Sequence, residues 1–110
     1  MEQEQLDRHS KLVRDRVPEI VRAAAIKPII HIADPEEYRS RLRDKLGEEG
    51  AEFLSADDAA AVEELADALE VVYALAEDLG VDSAELEEVR RSKARERGGF
   101  INRVIWSGNH

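Results

Sequence analysis

The stretch from Lys45 to Glu70, KLGEEGAEFLSADDAAAVEELADALE, constrains this chain more than any other. It holds two carboxylate pairs at a spacing of three, Glu49/Glu52 and Glu64/Asp67, on two successive predicted helices joined by a short acidic turn. Residues three apart share a helix face, so each pair can direct its oxygens at one point. Packed antiparallel, the two helices aim all four carboxylates into one space. Four converging carboxylates repel one another strongly unless a cation sits among them. The pattern therefore reads as a cage for a divalent ion, with the rest of the chain as its support. Carboxylate oxygens suit Mg²⁺ or Mn²⁺, whereas zinc or copper calls for the Cys or paired His that this chain lacks.

With 110 residues there is room for one domain, 1–110, and one modest core, with 1–9 and 107–110 read as frayed ends. Acidic residues number 25 against 16 basic, a formal charge of −9, which argues against a binder of nucleic-acid polymers. A small phosphorylated substrate held through a bound cation remains open to it. Without cysteine there are no disulfides and no thiol nucleophile. The apolar runs are too short for a membrane span and no signal-peptide pattern opens the chain, so a cytoplasmic protein is expected. With aromatic residues at 5%, the core must rest on Leu, Val, Ile and Ala, which suits closely packed helices.

Four helices are predicted. Pro18 stands in the first turn of one that reaches about Ala25, with Asp15 as its candidate cap. Asp34-Pro35-Glu36-Glu37 starts a second, running to about Ser55, with cap, Pro and acids in the order the dipole favours. Its apolar stripe is Tyr38, Leu42, Leu46 and Phe53, and Glu49 falls on it, where a carboxylate is costly unless paired or coordinated. Gly47 and Gly50 flank Glu49 and suggest either a close approach to the backbone or a kink. The third helix, about Asp58 to Leu79, ends at Gly80. Glu63, Glu70 and Glu77 form its solvent seam, whereas Glu64 lines up with Ala68, Val71 and Leu75 on an apolar side, and Asp67 lies at the border. The fourth, Ala84 to about Arg97, runs from acidic to basic, as the dipole prefers without any function. Its Lys93 and Arg97 nevertheless share a face that a polyanion would seek. Two β-branched segments, IKPIIHI (26–32) and FINRVIW (100–106), are expected to meet as a small antiparallel pair. His31, alone in the first of them, is read as an ordinary surface or packed residue.

The string Glu48-Glu49-x-x-Glu52, eleven residues, then Glu64-x-x-Asp67 resembles the signature of the all-α NTP pyrophosphatase (MazG-like) superfamily. KLVRDRVPEIV at the front and KARERGGFINRVIW at the back look like its small, phosphoribosyl-ATP pyrophosphohydrolase-like house-cleaning branch. The likeness runs from Lys11 to Trp106. It implies an all-α, four-helix MazG-like bundle, here with the two-stranded appendage, and pairing into a homodimer. It implies Glu49, Glu52, Glu64 and Asp67 as Mg²⁺ ligands, with Glu48 or Glu49 taking the proton of the attacking water. Lys93 and Arg97 would meet the substrate's phosphates, joined by Arg103, Lys11 and Arg14. The implied reaction cleaves nucleoside triphosphates between the α- and β-phosphates, giving a monophosphate and pyrophosphate. Two rivals stand beside it: the phosphoribosyl-ATP step of histidine biosynthesis, and a non-catalytic helical interaction module whose acids are merely solvated. The base and sugar of the substrate are not legible in the residues.

Overall fold

The computed structural model describes residues 10–110. Four helices follow in order: α1 (Val17–Ala23), α2 (Pro35–Ser55), α3 (Asp58–Asp78) and α4 (Ser83–Arg97). Aspartates start the last three. Asp34, Asp57 and Asp82 each accept the backbone N–H three residues on, at 2.8, 2.9 and 2.8 Å, satisfying a donor that the first turn leaves orphaned. At α1 the expected cap is corrected: the helix begins after Arg16, with no side chain capping it, and Asp15 lies in the turn before.

Only Ala56 and Asp57 separate α2 from α3, so the chain reverses and the two helices pack as an antiparallel hairpin. Arg39 near the start of α2 accordingly meets Asp78 at the end of α3, at 3.0 Å. Leu42, 2% exposed, and Val71 lie buried in the chain, as does Ala76 towards the end of α3. Gly80 then adopts φ +83° and Val81 N–H reaches back to the Ala76 carbonyl at 2.9 Å. This left-handed closure is inexpensive only for glycine. It turns the chain so that α4 leans on α3. No helix among the described residues is long and apolar enough to cross a membrane.

The all-α class and the four helices stand as expected, but the β appendage does not: no strand is formed among the described residues. In 26–32, Pro28 lacks the N–H a ladder needs. In 100–106 the chain bends, with Arg103 N–H on the Phe100 carbonyl at 3.0 Å and Arg103 at φ +57°. A segment bent at its centre cannot supply a strand edge. His31 instead meets Glu37 at 2.8 Å on the surface. Nor do all four helices join one bundle, because α1 packs against none of the other three.

Gly47 and Gly50 cause no close approach, since a Cβ at either would meet nothing within 4 Å. Gly47→Ala is therefore expected to stabilise the fold by up to about 1 kcal/mol, the helix-propensity difference, read as a higher urea midpoint. A loss of stability would mean that another molecule covers this face.

Candidate metal centre

The hairpin brings three of the four expected ligands together. Glu49 of α2 and Glu64 and Asp67 of α3 can each offer one carboxylate oxygen within 4.8 Å of the others. Antiparallel packing does this: Glu49 sits one heptad beyond Leu42 on the buried seam, and Glu64 shares its face with Val71. Glu49 is only 6% exposed. Its Oε2 and the Oε2 of Glu64 are both buried without a hydrogen-bond partner. Buried carboxylate oxygens are normally paired, so two orphans on acids of one cluster suit a cation. This donor set, all oxygen, fits Mg²⁺ or Mn²⁺.

Glu52, one turn on from Glu49, is exposed and stands outside the trio. It still acts on Glu49: burial pushes the Glu49 carboxyl above its ordinary range, Lys45 draws it back down, and the neighbouring Glu52 raises it again. Arg14 reaches Asp67 with a 2.7 Å contact from Nη2 to Oδ1. Glu48 faces a cationic side, its Oε1 lying 3.4 Å from Lys11 Nζ and 3.3 Å from Lys45 Nζ. The N-terminal Lys11 and Arg14 thus stand beside the carboxylates, whereas Lys93, Arg97 and Arg103 are exposed and make no side-chain hydrogen bond or ion pair with any described residue.

Two residues here escaped the sequence reading. Lys45, with its side chain 15% exposed, lies 3.4 Å from Glu49 Oε1; its place four residues before Glu49 was the available signal. Arg41 donates to the Ser10 carbonyl at 2.8 Å, tying segment 10–12 to α2. Between them opens a cavity of about 480 Å³ that also borders Glu48. Its partner 31 residues earlier could not be read from local spacing.

An all-helical hairpin that gathers three acids, with cations on one flank, defines a candidate divalent-cation site. The chain belongs to the phosphoribosyl-ATP pyrophosphohydrolase family, which matches residues 25–93. That span includes all four carboxylates and Lys93; KLVRD and RGGF lie outside it or at its margin. An uncharacterised protein of Mycolicibacterium smegmatis is 46% identical over 48 residues, 44% of this chain. The match spans 49% of that relative's length. No solved structure matches the chain.

Proposed function

We propose that the protein is a Mg²⁺-dependent nucleoside triphosphate pyrophosphohydrolase of the house-cleaning kind, acting on non-standard nucleotides. The observation that carries this is the pair of orphaned, buried carboxylate oxygens on Glu49 and Glu64 beside Asp67. Solvated acids on an interaction module would have no reason to be buried without partners. Membership of a pyrophosphohydrolase family supports the same reading.

Glu49, Glu64 and Asp67, with Glu52 completing the set from the solvent side, would hold the ion. Bound there, Mg²⁺ supplies charge neutralisation for phosphate oxygens. Glu49, or Glu48 beside it, accepts a proton from the attacking water. The water oxygen bonds to phosphorus, the bridge between the α- and β-phosphates breaks, and pyrophosphate leaves with the bridging oxygen's electron pair. Lys11 and Arg14 border the acids and offer positive charge to the phosphate chain, and Lys93, Arg97 and Arg103 would stabilise the leaving pyrophosphate. Most of the acceleration comes from positioning and electrostatics. The protein acts as a homodimer.

The test is a panel of ordinary, deaminated and oxidised nucleoside triphosphates, with phosphoribosyl-ATP included, assayed for pyrophosphate release with Mg²⁺ and with Mn²⁺. Release confined to phosphoribosyl-ATP would favour the histidine-pathway reading that the family's description raises. Release from none would sink the enzyme assignment. Lys93→Ala with Arg97→Ala is expected to weaken binding of a non-hydrolysable triphosphate at least about tenfold, the scale of lost charge-assisted hydrogen bonds. Stabilisation by Mg²⁺ should be untouched. Unchanged nucleotide affinity would place the phosphates elsewhere, beside Lys11 and Arg14.

A further inference from the structure

A single chain leaves far too much of itself in water. Its accessible surface is 10182 Å², against roughly 6,100 Å² for a folded monomer of this mass. Its radius of gyration is 18.6 Å, against about 13 Å for a compact chain of this length. The excess per chain is more than the ~2,000 Å² at which obligate interfaces begin.

Among the described residues, two apolar surfaces lie bare. One is the segment after α4: Phe100, Ile101, Val104, Ile105 and Trp106 are between 79% and 96% exposed. The other is a stripe on α3 formed by Val62, Leu65, Leu69 and Tyr73, all exposed, Val62 at 73%. At ~100° per residue these four share one face, opposite the side on which Glu64, Ala68, Val71 and Leu75 meet α2. Helix α4 leaves that stripe bare.

Charge matches the two. Glu63, Glu70 and Glu77 run beside the α3 stripe, all three exposed. The C-terminal segment carries Arg103 and is led by Arg95 and Arg97, and residues 90–106 hold six basic side chains against one acid, Glu96. An apolar arm edged with arginines fits an apolar stripe edged with glutamates.

We propose that residues 100–106 form an exchange arm that docks on the α3 stripe of a second copy of this chain, each copy giving an arm and receiving one. The exchange is isologous, so two symmetric contacts close the dimer and leave neither surface free. A second copy is favoured over the chain's own α3 because the surplus surface exceeds what one seven-residue arm could cover by folding back. The proposal goes beyond pairing as such by naming the two surfaces.

Trp106 is the only tryptophan, so its emission reports the arm directly. The expected result is a particle of twice the 12.4 kDa chain mass by light scattering. Its blue-shifted tryptophan emission should move to the red on dilution. Three variants should raise the dissociation constant at least about hundredfold while keeping the helical circular dichroism: a chain ending at Gly99, Ile101→Ser with Ile105→Ser, and Leu65→Lys with Leu69→Lys. A dimer that persists in all three uses another face and overturns the proposal while leaving pairing intact. A monomer with blue-shifted, concentration-independent emission overturns it in favour of the arm folding back on its own chain. A monomer with solvent-exposed tryptophan overturns it outright. Pyrophosphate release is compared between the wild-type chain and Leu65→Lys with Leu69→Lys, which keeps every residue assigned to the phosphates, and release by the wild type bears on the catalytic reading alone.

Discussion

Glu49→Gln is expected to abolish the thermal stabilisation that millimolar Mg²⁺ confers on the wild-type chain, and pyrophosphate release should fall at least about hundredfold. A ligand at a hundred times its dissociation constant stabilises by ~2.7 kcal/mol, and each kcal/mol moves the melting temperature of a domain this size by about 4–8 °C. The wild-type shift is therefore large, and its disappearance is easily read by calorimetry. The variant separates cation loss from damage to the fold. Without divalent cation, Gln removes a charge that is buried at 6% exposure and leaves Lys45 its contact with Glu48, so the variant should melt no lower than wild type in chelator.

The pH dependence follows the same carboxyl. Burial raises the folded-state pKa of Glu49 above the ordinary 4.5. Its contribution in chelator is thus fully present below about 4.5 and lost as pH rises through the raised folded value. Mg²⁺ inverts the dependence, since ion and proton compete for the same oxygens and the ion's stabilisation fades as pH falls. Glu49→Gln should remove both trends. If Mg²⁺ still stabilised that variant, the ion would be bound elsewhere and the site would be misassigned.

Leu42→Ala should cost about 2–5 kcal/mol, the range for emptying an enclosed leucine site. Leu42 is the most buried apolar residue described, and it lies one heptad before Glu49 on the same seam of α2. Domains of this kind hold only 5–15 kcal/mol in all, so the loss is a large share. It should appear as a lower urea midpoint with an unchanged slope. A cost below about 1 kcal/mol would mean that the α2–α3 seam is not what holds the chain together.

Much of the architecture was legible because its determinants are local. The capping aspartates 34, 57 and 82 each lie next to the backbone they satisfy, and Gly80 provides its own turn. Glu49 and Glu64 could be marked as unusual because a helix imposes 3.6-residue periodicity, and each interrupts an apolar stripe. The strand pair was misread because β-branched composition says only that a segment fits a sheet; Pro28 and the bend at Arg103 denied it one. Both segments are left with exposed isoleucines in the single chain.

By itself, then, the sequence determined where α2, α3 and α4 begin and end and that Glu49 and Glu64 interrupt apolar stripes, since these depend on residues within a few positions. Tertiary structure alone decided that Glu49, Glu64 and Asp67 converge while Glu52 stays in solvent, and that Arg14, 53 residues away, closes on Asp67. The rotation of one helix about its axis against another sets such distances. That rotation is settled by the whole packed interface, and no single stretch of the chain contains it.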